Sequence, residues 1–516
     1  MKNKPLNKDW DLVIVGGGVT GAGILREAVR MDLKVLLLEQ NDFAWGTSSR
    51  SSKLVHGGLR YLKQGHFLLT RDSVKERERL LREAPGLIDP LDFLIPIYQD
   101  HGPGKWLIRA GLSLYDALAM NWQHRYHDAR GFLSLEPHIR PEKLVGGFRF
   151  LDAQVDDARL VLRLLHEAKA AGGHAENYTS VTEILRDIRG NIVGVRAEDT
   201  ETHEEKVFSA RAVINATGVW AETLHPSPSK NLHLRPLRGS HLVFPSDVLP
   251  ISHAVSFSHP ADQRQLFVIP WEGAVLFGTT DLDHKASLGA EPAISKAEVS
   301  YLMDALQMFF PSLDISEKDC LSAFAGVRPV LSKGGRDPSA ESREHVIWAD
   351  KGLVTITGGK LTTFRKLAWD ALSAAMPFLP PVRKTGEGDP VFSGPHGLVG
   401  KDYGLSGTAL RRVCGRYGEM AKDILEAAAP EDLEAIPHTH TLWAELPFVA
   451  RNEQVRHLSD LLLRRVRIGL LTKQGGEAYL SRIQMLCEPC LPWDQARWKA
   501  ETDAYQQLWH QAYSPF

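Results

Sequence analysis

Apolar and polar positions along this chain fall into blocks that change period, and the first block sets the arrangement for the rest. Leu12-Val13-Ile14-Val15 is a short continuous apolar run, which predicts a buried strand. Gly16-Gly17-Gly18-Val19-Thr20-Gly21-Ala22-Gly23 interrupts it, helix-compatible residues continue to Met31, and a second apolar run, Val35 to Leu38, closes on Glu39. The predicted order is strand, glycine turn, helix, strand, acid. His66 to Glu83 reads as a charged, exposed helix. Lys105 to Met120 differs, because Lys105, Arg109, Ser113 and Asp116 make one narrow polar stripe on an otherwise apolar helix. Such a helix is buried or lies in a lipid interface, burial being the commoner outcome.

Asp156 is a candidate N-cap for a helix with apolar positions at Ala158, Val161, Leu162, Leu165 and Ala168, which Gly172-Gly173 ends. Strand-like runs follow at Ser180 to Leu185 and Ile192 to Ala197, then Ala212 to Asn215 leads into Ala216-Thr217-Gly218. Leu232 to Phe277 is rich in strand formers broken by Pro and Gly, which predicts a mainly antiparallel sheet. Leu353 to Thr357 runs into Gly358-Gly359-Lys360, a second strand and glycine turn before a helix. Prolines and glycines then accumulate, and everything from Ser406 to Trp509 reads as helical. Within it Leu461 to Gly469 is expected to be an amphipathic helix with solvated arginines.

The fold class predicted is α/β, with a Rossmann-like nucleotide domain over 1–80, 150–230 and 346–380. An antiparallel-sheet domain on the substrate side takes 81–149 and 231–345, a linker 381–404, and an all-α C-terminal domain 405–516. A length of 516 residues suits two or three domains. Charge is balanced, 61 basic against 63 acidic residues, so nothing favours a nucleic-acid partner. Four cysteines in so long a chain suit a reducing compartment. Cys487-Glu488-Pro489-Cys490, with no second pair, is a poor metal site, and no metal is expected. The polar first nine residues read as no secretion signal, and no run of eighteen apolar residues predicts a bilayer span.

The glycine turn has a physical job at each position. Gly16 makes the tight turn, Gly18 lets the backbone approach a pyrophosphate, and Gly21 lets the helix pack close to the sheet. Phosphates then sit at a helix N-terminus. Glu39 can accept from a ribose hydroxyl and disfavours a 2′-phosphate, so FAD or NAD is preferred to NADP. Past the second strand, Thr47, Ser48, Ser49, Ser52, Lys53, His56 and Gly57 offer hydroxyls and N–H groups suited to a second phosphate or a ring edge; an ordinary polar loop is the plainer reading. Arg328, between Gly326-Val327 and Pro329, is a fixed cation.

With these segments in view, the chain resembles the FAD-dependent glycerol-3-phosphate dehydrogenases of the aerobic, respiratory bacterial type, within a wider group that includes glycine and D-amino-acid oxidases. The resemblance rests on the glycine turn, on Ser51-Ser52-Lys53-Leu54-Val55-His56-Gly57-Gly58-Leu59-Arg60-Tyr61-Leu62, on Asn215 to Gly218, on Gly278 to Asp281, on Gly326 to Pro329 and on Gly358 to Ala368. Val219 stands where the family often has proline, and Phe364 where it often has tyrosine.

The resemblance implies FAD as cofactor, held by the residues named above together with Ala216, Thr217, Gly218, Gly358, Gly359 and Lys360. It implies oxidation of glycerol 3-phosphate to dihydroxyacetone phosphate and a quinone acceptor at a membrane surface, on the cytoplasmic side, with a homodimer as the candidate assembly. Arg60, Tyr61, Arg328 and Lys360 are the expected substrate contacts, because guanidinium forks grip phosphate. His241 is the expected base, with Arg328 and Lys360 beside it. Rival expectations are an oxidase that uses oxygen and a protein that binds FAD without turning it over.

Overall fold

The computed structural model describes residues 9–59, 62, 67–225, 233–332, 344–386, 388–394, 398 and 400–515. Trp10–Val15 is the middle of an eight-stranded sheet, parallel to Val35–Leu38 on one side and Glu205–Asn215 on the other. Leu353–Gly358 adds a further parallel strand next to Glu205–Asn215, and His345–Asp350 closes that edge antiparallel. The register sets Val15 opposite both Leu38 and Asn215. The residues that follow, Gly16, Glu39 and Ala216, therefore leave the sheet at the same level, at the carboxyl ends where open parallel sheets bind ligands.

Buried on both faces, Leu12 to Val15 need no alternation, which is why that strand is a continuous apolar run. Three helices cover one face: Val19–Arg30, Asp157–Ala170 and Phe364–Ala375. Asp156 caps the second of them, accepting from Arg159 N at 3.1 Å.

A ten-stranded sheet stands beside the first, with His233–Pro245 paired antiparallel to Ala274–Gly278 and to Ser322–Ser332. Its pairings are antiparallel except for Ala254–Ser258 against Ile88–Tyr98. This agrees with the mainly antiparallel expectation. One face packs Phe244 and Phe277 under the helix Lys296–Phe309; the other packs Phe93, Phe150 and Trp271 toward Lys105–Ala119 and the C-terminal helices.

Two expectations are corrected. Lys105–Ala119 is only half buried: Ile108, Leu112 and Tyr115 face the core, but Trp106 is 73% and Leu107 63% exposed. The second concerns Leu461 to Gly469, whose arginines are not solvated, since Arg464, Arg465 and Arg467 are all buried. Local periodicity could not show this: Asp460 lies one turn before Arg464, but Asp42 and Asp157, which also neutralise these arginines, lie hundreds of residues away. Arg465 donates to both oxygens of Asp42 at 2.6 and 2.7 Å, Arg464 shares the same carboxylate, and Arg159 grips Glu453 at 3.0 and 2.6 Å. Burial opposes ionisation of Asp42, yet Arg465 and Arg464 together hold its carboxyl down at about 2.

These buried pairs fasten the C-terminal helices to the first domain. Asp42→Ala leaves two guanidinium groups buried without their shared partner, and the expected cost is about 3–5 kcal/mol. A urea midpoint unchanged from the parent protein would show that the seam carries no such load.

Candidate functional site

One cavity of about 1290 Å³ runs from the carboxyl ends of the first sheet to the face of the second. At its first end the backbone is packed too tightly for side chains. Gly16 has φ +110°, and a Cβ there would lie 2.7 Å from Ala216 O; a Cβ on Gly21 would lie 1.9 Å from Gly16 O. Gly18 ends against Ser48, whose hydroxyl accepts from Val19 N at 2.9 Å. A ribose–phosphate chain fits this bare backbone at a helix N-terminus, as the sequence implied.

Glu39 lies on the cavity wall, with its carboxylate accepting from Gly17 N at 2.6 Å and Asn41 N at 2.9 Å. Burial raises its pKa against these two backbone donors. Glu39 therefore shapes the glycine turn as well as facing the cavity. Thr47, Ser48, Ser52, His56, Ala216, Thr217 and Gly218 line the same wall. Four expected cofactor residues stand behind it. Gly21 and Gly57 serve close packing, Gly57 N donating to Tyr115 Oη and Asp152 Oδ1 at 3.0 and 3.1 Å. Ser49 contributes its carbonyl to Lys53, whose buried ammonium donates to Ser49 O at 2.6 Å and to both oxygens of Asp157 at 2.8 Å. Lys53 is thus a structural cation: its donors are spent inside the protein, and burial, then Arg467, bring its pKa down to about 7.

The second end is built by adjacent strands. Antiparallel pairing sets Gly239 against Gly326 and His241 against Phe324, and it places Arg328 opposite Leu237. Gly239 makes room for Arg328, since a Cβ there would lie 2.1 Å from Nη2. Arg328 donates to Thr280 O at 2.9 Å and approaches Asp281 Oδ1 at 3.4 Å. Arg264 reaches the other oxygen of that buried carboxylate at 3.2 Å. Sequence reasoning missed Arg264, which stands in a short turn with no motif. It quoted Asp281 in Gly278 to Asp281 without giving it a role.

His241 is buried, stacked on Phe324 with ring centroids 4.8 Å apart, and its Nε2 lies 2.9 Å from Ser52 Oγ. Burial, then the charges of Lys53 and Arg328, lower its pKa well below the usual imidazole value, so the ring is neutral at pH 7. Gly358 and Gly359, both with φ near +80°, carry the chain past the same cavity, which Lys360 lines, and Lys360 Nζ donates to Oγ of the buried Ser73 at 3.2 Å. The structure thus brings His241, Arg328 and Lys360 to one space from three different segments. Arg60 and Tyr61 lie outside the described residues.

The remaining wall is apolar. Phe67, Leu107, Ile108 and Leu114 line it from the helices Phe67–Glu83 and Lys105–Ala119, and Phe67, Leu107 and Leu114 are also exposed on the outer surface. No described helix is long and apolar enough to cross a membrane. No cluster of potential metal ligands occurs among the described residues.

Comparison with known proteins agrees with this architecture. Residues 11–365 match the family described as FAD dependent oxidoreductase, and residues 394–498 match the C-terminal domain of alpha-glycerophosphate oxidase. The aerobic glycerol-3-phosphate dehydrogenase of Staphylococcus haemolyticus is 33% identical over 493 residues, 90% of this chain and 88% of that one. The glycerol-3-phosphate dehydrogenase from Bacillus halodurans, solved with FAD, superposes with a TM-score of 0.77 at 28% identity, covering 98% of this chain and 95% of that one. The L-alpha-glycerophosphate oxidase from Mycoplasma pneumoniae shares the fold, with a TM-score of 0.58 at 22% identity over 73% of this chain and 97% of that one. A backbone cradle that a Cβ would fill, joined to a cavity walled by arginine, histidine and lysine, fits what these matches say: the chain belongs to the FAD-dependent oxidoreductase family, among the glycerol-3-phosphate dehydrogenases.

Proposed function

We propose that this protein oxidises sn-glycerol 3-phosphate to dihydroxyacetone phosphate and passes the electrons to a membrane quinone. The observation that carries the reading is the meeting of His241, Arg328 and Lys360 on one cavity continuous with the glycine cradle. FAD, when bound, supplies the acceptor for the hydride that leaves C2. The protein's own tasks are then to hold a phosphate dianion, orient C2 and take one proton.

Arg328 suits the first task. Arg264 and Arg328 both approach the buried Asp281 carboxylate, Arg264 also meets Asp262 at 3.7 Å, and Arg328 is thereby oriented on the cavity wall where an anion can meet its charge. Glycerol lacking the phosphate gains nothing from that charge. Arg60 and Tyr61 are assigned to the same phosphate. Lys360 holds the substrate oxygen from the opposite wall and favours negative charge developing nearby. His241 takes the C2 hydroxyl proton at Nε2, the ring atom that Ser52 contacts, and its neutral form is the one able to accept.

A quinone reading is supported by the apolar rim. Leu107 and Leu114 belong both to the cavity wall and to the outer surface, beside Trp106, Met120 and Trp122. A cluster of this kind at a cavity mouth suits the interface of a lipid layer, on the cytoplasmic side, from which an apolar acceptor can enter. Oxygen as acceptor is favoured by the match of the C-terminal region to a domain named for an oxidase. Peroxide formed per turnover, set against reduction of a quinone analogue, separates the two.

Anaerobic glycerol 3-phosphate should bleach the flavin absorbance of the holoprotein; a flavin that stays oxidised rules the reaction out. Arg328→Ala should keep FAD and raise KM for glycerol 3-phosphate by at least about tenfold, the scale of a lost charge-assisted contact. Gly239→Ala, which pushes on the same guanidinium, should raise KM in the same direction with flavin content unchanged; an unaltered KM in both variants takes Arg328 out of the phosphate site. Replacing Trp106 and Leu107 together by Ser should weaken binding to anionic liposomes while leaving flavin reduction intact, and undiminished binding would move the membrane contact elsewhere.

A further inference from the structure

Arg467 belongs to the C-terminal helical region, yet its side chain is buried behind the catalytic wall of the first two domains. Its guanidinium donates to Ser49 O at 3.0 Å and to Asp157 Oδ1, and it forms an ion pair with Asp156 at 3.2 Å. The backbone at Arg467 has φ 62°, the left-handed region that residues with a Cβ adopt at a cost. An arginine is kept in that conformation here by what its fork holds.

What it holds is the segment that carries Ser52. Asp157 accepts from Ser51 N at 2.9 Å, from Ser51 Oγ at 2.7 Å and from Lys53 Nζ at 2.8 Å, so both neighbours of Ser52 are tied to one carboxylate. Ser52 is thereby fixed with Oγ 2.9 Å from His241 Nε2. A second route runs through Phe324, which stacks on His241 while its ring lies 4.8 Å from Lys53 Nζ. Both paths lead from Arg467 through Asp157 to the two sides of one imidazole.

Resting on the reading of His241 as proton acceptor, we propose that Arg467 is a positioning residue for His241, acting through Asp157 and the segment Ser49 to Lys53. The C-terminal region then governs the proton-transfer geometry of a site to which its described residues give no wall. It does not set substrate affinity, because Arg467 contacts neither Arg328 nor Lys360.

The test is the rate of anaerobic flavin reduction by glycerol 3-phosphate, expressed per bound flavin, in the full-length holoenzyme. Arg467→Met and Ser52→Ala should each slow reduction at least about tenfold, with KM changed less than about threefold, the pattern of a lost contribution to general-base catalysis. Arg467→Lys, which keeps the charge and loses the fork, should recover part of the rate. In a His241→Ala background Arg467→Met should cost less than about twofold, since residues acting through one group are not additive. A merely structural role lowers flavin content or stability and leaves the rate per bound flavin alone, which overturns the inference; so does a full tenfold loss on top of His241→Ala. If Arg467→Met does not yield folded holoenzyme, Arg467→Lys in both backgrounds carries the same comparison, with a loss expected only where His241 is present. Failure of the functional reading is distinct: there the parent flavin itself is not reduced.

Discussion

A sheet can hold a phosphate chain only where main chains approach one another more closely than a Cβ permits, and that constraint organises this molecule. It is met where Gly16 turns beneath Ala216 and Gly21 closes on Gly16. The approach is possible because Val15, Leu38 and Asn215 stand in register, so three loops leave the parallel sheet together. Everything that touches the proposed substrate is then placed by reference to this edge. Leu353–Gly358 brings Gly358, Gly359 and Lys360 up beside it, and Thr362 Oγ1 donates to His56 O at 3.2 Å, joining the two glycine-rich segments across the cavity.

The C-terminal helices are held to that edge by charge as much as by packing. Asp42, Asp156, Asp157 and Glu453 are buried, and each is neutralised by an arginine that arrives from far away in the chain. Ion pairs removed from water gain little over a well-packed apolar contact, but they are intolerant of misplacement. A seam built this way specifies one docking of the C-terminal helices. The segment Ser49 to Lys53 is trapped within it, which is how a loop next to the cofactor cradle becomes rigid.

Much of this was legible in the sequence, and the division has a physical cause. The strand, glycine turn and helix from Leu12 to Met31 are specified by residues that touch one another locally, as is the Asp156 cap, and these came out as read. The gathering of His241, Arg328 and Lys360 was legible only through family motifs, because no local pattern brings three distant segments together. Lys53 was read as a cofactor contact and the arginines after Leu463 as solvated for one reason: the carboxylates that bind them, Asp157 and Asp42, are not their neighbours in the chain. Lys105–Ala119 was read as mainly buried because apolar content counts residues without saying which side has a protein neighbour. Arg264 left no signal, since an arginine in a polar turn is ordinary until Asp281 is seen beside it.

The same pair of chemical groups therefore serves two ends, and solvent decides between them. Arg465 is fully buried, bound to both oxygens of Asp42, and has no capacity left for a ligand. Arg328 keeps about a quarter of its side chain exposed (27%), opens on the cavity, and shares Asp281 with Arg264. Asp281 and Asp262 face Arg264 and Arg328 between them, and the part of Arg328 that stays open to the cavity is where an anion can reach it. Asp281 orients Arg328, and a carboxylate that orients a cation costs less affinity when a second cation shares it. The positioning of Arg328 and its proposed role as a phosphate ligand are then in less conflict, because Arg264 draws on the same Asp281 carboxylate.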